Sequence, residues 1–341
     1  MMEDDSLAAV VPYRSLPKEG EADLRGNGVM IGYELRGPSP ESSTLADVVS
    51  ASRQLAAAFM HLGTGDMVHV VYQRQPAPEP PERTFPSHGA ALVHAEHRAQ
   101  FAAESHWLTP TRLYLTHQYE PPTQSIIRTA LFAASGPQRQ ARHELLREYA
   151  LSRFAAFEDA AASAVLLRRL SSIELFRDLL MCVTYHDYPA LLPAPEVRLN
   201  EVIGCERFYG GVQPYINGFH LRPVCITAYP TYTVPQILAV LLRYPGRMTV
   251  SARFICNDTY DAQQQLRLER QHWNRDIIGS VWKTVKGWFG KDHKADLDSQ
   301  AQLADIDEAI AAAAAGTTFG WATITAVVRD HDPRSRRAPR P

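Results

Sequence analysis

The sequence predicts an α+β fold of two mixed-sheet subdomains with helices packed on the sheets. Three observations predict it. Segments of period-two alternation are interleaved irregularly with segments of helical period. A strand, a proline turn, a helix and a further strand recur in that order on both sides of a proline-bounded linker, Pro189 to Pro195. A final strand, Phe319 to Val328, follows a helical stretch and has to return to a sheet. With 341 residues, 45% of them hydrophobic, the chain can fill two modest cores. The expected divisions are an N-terminal tail over 1–27, a first subdomain over 28–190, a second over 195–330, and a disordered basic tail over 331–341.

Val29, Ile31, Tyr33 and Leu35 alternate with Met30, Gly32 and Glu34, as in a strand with one buried face, and Gly37-Pro38-Ser39-Pro40 ends it. Thr44 caps a helix with Asp47 in its first turn. Val48, Ala51, Leu55, Phe59 and Leu62 then recur at helical spacing until Gly63. Met67 to Tyr72 reads as a strand, and Gln75 to Pro81 is too proline-dense to be anything but an extended connection. A helix from about Ala90 to Glu104 and a strand from Thr111 to Tyr119 complete the first set. His143 to Val183 is helical in period, broken in two by a capping box of Ser171 and Glu174.

After the linker come a strand over Val224 to Tyr229, a turn over Pro230 to Pro235, a helix to Leu242 and a strand over Met248 to Cys256. This repeats the earlier order and reads as an internal duplication, carried by turn prolines and apolar positions alone. Helices from Ala262 to Trp288 and from Asp307 to Ala315 precede the last strand.

Charge and composition narrow the functions. Thirty-five basic residues against 37 acidic ones give a net charge of −2, so nothing in the overall charge argues for gripping DNA. The four cysteines, Cys182, Cys205, Cys225 and Cys256, form no CxxC pair, which fits a reduced cytoplasmic chain without a zinc motif. The acidic start, Met1-Met2-Glu3-Asp4-Asp5, resembles no leader peptide. No apolar run approaches the roughly 20 residues that cross a bilayer, so any membrane contact is expected to be peripheral.

Chemistry-bearing motifs are few. No Gly-x-x-x-x-Gly-Lys-Ser/Thr string is present; Gly287-Trp288-Phe289-Gly290-Lys291-Asp292 has the wrong spacing and an aspartate where the magnesium-binding hydroxyl belongs. Gly63-Thr64-Gly65 runs from helix to strand, the reverse of a dinucleotide turn, and reads as a helix stop. His94 and His97 share a helix but lack an evident third metal ligand. Cys182 with His186 and Asp187 could form a nucleophilic pair, although Cys182 follows Leu179-Leu180-Met181 as a core residue would. The stretch Trp273 to Lys291 sets Ile278, Val281 and Val285 in a broad apolar stripe beside Lys283, Lys286 and Lys291. It fits burial on the chain's own sheet, a partner surface, or a membrane interface. Its candidate interaction residues are Trp273, Ile277, Trp282, Trp288 and Phe289.

Several segments, in order, resemble the N-terminal region of the CagE/TrbE/VirB family of type IV secretion and conjugal-transfer ATPases. They are Leu35-Arg36-Gly37-Pro38-Ser39-Pro40-Glu41-Ser42, Leu62-Gly63-Thr64-Gly65, Arg74-Gln75-Pro76-Ala77-Pro78 and, most specifically, Ala95-Glu96-His97-Arg98-Ala99-Gln100-Phe101-Ala102-Ala103-Glu104. Cys182-Val183-Thr184, Gly210-Gly211, the strand over Thr249 to Cys256 and Phe319-Gly320-Trp321 continue the likeness, which spans about residues 12 to 331. Asp66 departs from the family, where an aromatic is usual, as do His88-Gly89 and His94 in a stretch usually more acidic.

The resemblance implies a non-catalytic assembly module on the cytoplasmic side, peripheral to the inner membrane. It would dock a motor to the channel base and contact other channel components and sister ATPase subunits, without direct nucleic-acid binding. ATP would be bound by the RecA-like domain that follows in family members, before which this sequence stops, so no cofactor is expected in this chain. The motor would then come from another chain, or the product is a truncated remnant, and the basic, proline-rich ending resembles a broken reading frame more than a domain end. An independent Cys/His enzyme and a peripheral membrane module are the competing readings.

Overall fold

The computed structural model describes residues 6–38, 42–103, 106–119, 136–187, 191–194, 196–227, 237–257, most of 260–271, and 305–331. Strands β1 (Tyr13–Lys18), β2 (Glu21–Leu24), β3 (Gly28–Arg36), β4 (Asp66–Pro76) and β6 (Thr111–Gln118) form the first half of one large sheet. β8 (Phe208–Tyr209), β9 (Tyr215–Ile216), β10 (Phe219–Cys225), β11 (Arg247–Asn257) and β12 (Phe319–Asp330) form the second. Two short strands, β5 (Trp107–Leu108) on β4 and β7 (Leu166–Arg169) on β3, lie off the main path.

The strand order is β1-β2-β3-β6-β4-β11-β12-β10-β9-β8. It reads the same from both ends. In each half a hairpin leads to a third strand, a crossover leads to a fourth, and the last strand inserts between those two. The duplication expected from the sequence is therefore present as a repeated connectivity. A short helix precedes the hairpin in each copy, α1 (Leu7–Val10) and α6 (Leu199–Ile203). The halves meet where β4 pairs β11, from Met67↔Ile255 to Arg74↔Met248, so the sheet runs unbroken from the first predicted subdomain into the second.

All described ladders are antiparallel, including this seam. Because β6 and β12 insert between strands that run alike, they turn what would be parallel neighbours into antiparallel ones. Residues 7–24, which the sequence suggests are a tail, instead form α1, β1 and β2. β1 has no clean alternation and contains Pro17, which an edge strand tolerates because one side of it needs no partner. In the second half, Asn217 (φ 49) and Gly218 (φ 81) turn β9 into β10, the left-handed pair that a two-residue hairpin requires.

Helix α2 (Leu45–Ala58) starts at a capping box in which Thr44 accepts from Asp47 N and Asp47 accepts from Thr44 N. The helical stretch after His143 divides as its capping box predicts, into α4 (Gly136–Ala161) and α5 (Ser172–Thr184), with β7 between them. One sheet face is covered by α5, α1 and α6, through Leu175, Phe176, Leu179, Leu199 and Ile203 against Met30, Val71 and Tyr114. The other is covered by α2 and α4, through Ala58, Phe154 and Phe157 against Val29, Ile31, Tyr33, Val68 and Leu115. Alternation along β4 delivers Val68 to one core and Val71 to the other.

Candidate interaction surface

Helix α3 (His88–Ala103) carries the most specific family-like segment of the sequence, and it stands away from both cores. None of its residues is buried. It braces instead against its own flanking chain. His94 lies against Phe85 with ring centroids 5.0 Å apart, Arg98 reaches Glu82 at 3.5 Å, and Phe101 stacks on His106 at 4.0 Å. These contacts recur at helical spacing on one side. Leu92 and Val93, elsewhere on the helix, are 58% and 71% exposed. β5 ties the base of this arm to β4, where Arg74 sits 5.0 Å from the Trp107 ring.

The sheet itself is held by paired charge. Asp66, fully buried at the start of β4, faces His117 directly across the ladder and contacts its Nδ1 through Oδ1 at 2.6 Å. Its Oδ2 accepts from Gly63 N at 3.0 Å and meets Arg153 Nη2 at 2.5 Å. Arg153 also donates to the His61 carbonyl, so one carboxylate fastens α4, β6 and the end of the α2 connection together. Burial first, then Asp66, pushes the neighbouring Cys256 thiol up to about 12. Arg147 of α4 binds Asp23 at 2.6 Å and Glu21 of β2, and Arg112 pairs with Asp178 of α5. The sequence marks Asp66 only as a departure from the family. Its partners lie 51 and 87 residues away (117 − 66 and 153 − 66), and spacing does not reveal them.

The other sequence candidates separate in space. Cys182 is enclosed, its Sγ accepting from Gln73 Nε2 at 3.0 Å, and burial followed by Asp178 raises its thiol to about 11. That is the opposite of an activated nucleophile. His186 turns to the Asn217 carbonyl and the Phe219 ring, while Asp187 pairs with Arg177. His94 and His97 belong to no metal-ligating cluster among the described residues. No described helix is long and apolar enough to cross a membrane. Trp273, Ile277, Trp282, Trp288 and Phe289 lie outside the described residues.

Residues 24–126, which take in β3 through β6 and α3, match the model of the type IV secretion system ATPase VirB4/TrbE, N-terminal domain. A probable conjugal transfer protein TrbE from Sinorhizobium fredii, the first of two numbered pieces under that name, is 34% identical over 117 residues, which cover 78% of that relative. The chain belongs to the VirB4/TrbE family. A conjugal transfer protein TrbE from Rhizobium radiobacter is 27% identical over 349 aligned positions, spanning 96% of this chain and 42% of that relative. The second of the Sinorhizobium fredii pieces is 27% identical over 47% of this chain and 24% of its own length. The chain thus spans less than half the length of the Rhizobium TrbE it matches, and the VirB4/TrbE N-terminal match contains the exposed arm and the Asp66–His117 pair.

Proposed function

We propose that this chain is an assembly module of a conjugal-transfer type IV secretion machine, docking the machine's ATPase to the channel base at the inner membrane. The observation that carries the reading is α3. A helix within the family match is displayed on its own brace, without a buried residue, and carries exposed Leu92 and Val93. Such a helix contributes little to either core and is free to be covered by a channel component of the same machine. Sister ATPase subunits are further partners, and contact with the membrane is peripheral.

The module acts without a nucleotide of its own. Its sequence contains no phosphate-cradling glycine loop, and ATP is bound by the RecA-like part of the family's architecture. The tryptophan-rich segment with Trp273, Ile277, Trp282, Trp288 and Phe289 supplies a second contact surface, on the strength of its amphipathic pattern.

Co-expression with the remaining products of a conjugal-transfer operon, followed by affinity purification, tests the reading. The wild-type chain should bring down channel components, and a Leu92→Glu, Val93→Glu variant should lose them while keeping its melting temperature. ATP hydrolysis by the isolated, homogeneous chain would overturn the division of labour.

A further inference from the structure

Arg247 and Arg329 face one another directly across the β11–β12 ladder and therefore share one face of the sheet. Like charges in that position repel. Arg329 is 5% exposed; among the described residues its Nε has no hydrogen-bond partner, and its Nη2 reaches the Arg74 carbonyl at 3.5 Å. Its guanidinium lies 4.6 Å from the Tyr185 ring. Arg247 stacks 5.3 Å from the Phe219 ring and shares a 2.7 Å contact with His331 Nε2, a ring nitrogen that must accept there because a guanidinium only donates. Among the described residues neither arginine has an ion pair with a carboxylate.

The neighbours do not make up the missing negative charge. Cys182 and Tyr185, the groups whose ionised forms would favour a charged Arg329, are both held as neutral acids by burial. Burial and the facing Arg247 together depress Arg329 to about 10, so at neutral pH it is a buried cation beside a second cation. An uncompensated buried charge is costly, and cation–π stacking on one ring offsets only part of that cost. Two adjacent guanidinium ions call for about two negative charges in one small group, which a single carboxylate does not supply and a phosphate does.

We propose that Arg247 and Arg329, with His331 at the rim and Phe219 and Tyr185 as apolar walls, form a binding site for a phosphate-class anion. The anion would lie against Arg247, which is part-exposed, and complete the hydrogen bonding of the Arg329 fork behind it. Two sources carry this chemistry: free or small-molecule phosphate, and the headgroup of an acidic phospholipid.

Isothermal titration of inorganic phosphate into the full chain, at constant ionic strength and neutral pH, is the first arm. Flotation with phosphatidylcholine vesicles, with and without phosphatidic acid, is the second. Both are repeated on Arg247→Gln and on Arg253→Gln, a control on the same strand. Loss of one guanidinium donor should weaken binding roughly tenfold or more, while Arg253→Gln should bind as wild type does. Phosphate binding without vesicle binding assigns the soluble source; acid-dependent vesicle binding lost in Arg247→Gln assigns the headgroup. The melting temperature of Arg247→Gln without ligand shows that the variant is folded, and it should equal or exceed that of wild type. Wild-type chain that binds neither probe, or binding that Arg247→Gln leaves intact, overturns the proposal.

Discussion

The two halves of the sheet repeat one connectivity and treat buried charge in opposite ways. In the first, each half-buried cation finds its acid: Arg153 meets fully buried Asp66, Arg147 meets Asp23 and Glu21, and Arg112 meets Asp178. In the second, Arg247 and Arg329 oppose each other with rings for neighbours. The contrast separates two uses of a buried charge. Where acid and base are satisfied within the chain they fasten elements together, as Asp66 fastens α4 to the sheet. Where they are not, the fold holds an unbalanced group that something outside the chain can balance.

The sharpest way to break the comparison is at Asp66. Asp66→Asn keeps the shape but leaves half-buried Arg153 without its acid and puts a neutral amide at the buried site, and urea unfolding should show a loss of about 3 kcal/mol. A loss under about 1 kcal/mol would mean that the first half's pairs are as idle as surface ones. Arg329→Met is the mirror experiment. Removing a buried, uncompensated cation for an apolar chain of similar length should leave stability unchanged or raise it by about 1–2 kcal/mol, measured the same way. A large loss would show that Arg329 has a structural partner and that the halves do not differ as described.

Smaller effects sharpen the picture at the elements that join the halves. α5 lies between the two repeats in the chain and seats on the first, its start fixed by Ser171 accepting from Glu174 N and by Ser172 bound to Glu19 and Gly20. Ser171→Ala should cost about 1 kcal/mol, seen as a lower urea midpoint with an unchanged slope. At the β4–β11 seam His69 faces Arg253. Burial, then Arg253, lowers the imidazole from 6.5 to about 4. The folded state thus binds fewer protons than the unfolded one. Stability contributed by neutral His69 is full above pH 6.5 and is lost as pH falls from about 6.5 to about 4. His69→Asn should flatten that slope in melting temperatures measured across the range.

Much of the architecture is legible where local rules suffice. The capping boxes at Thr44 and Ser171 place two helices, and apolar segments bounded by turns place β3, β4, β6, β11 and β12, although β3, whose alternation suggests one buried face, is buried on both because helices cover both sides of the sheet there. The rest depends on partners far away in the chain. β8 and β9 are two residues each and β7 is Leu166-Leu167-Arg168-Arg169, too short for any period to show, and all three exist because a neighbouring edge receives them. The seam between β4 and β11 joins strands about 180 residues apart, which is why the sequence suggests two sheets where there is one. The site is less legible than the fold. Asp66 stands out in the sequence while its partners do not, and the meeting of Arg247 with Arg329 follows only from register. The exposure of α3 is hidden because Leu92, Val93 and Phe101 look like a helix with a core to reach.

Whether α3 is a docking element is measured most directly by hydrogen–deuterium exchange across residues 77–106, with and without co-expressed channel components. A docking arm should exchange fast in the isolated chain and be markedly protected in the complex, with that protection absent in the Leu92→Glu, Val93→Glu variant. Co-purification of the components with an arm whose exchange is unchanged would contradict the docking role.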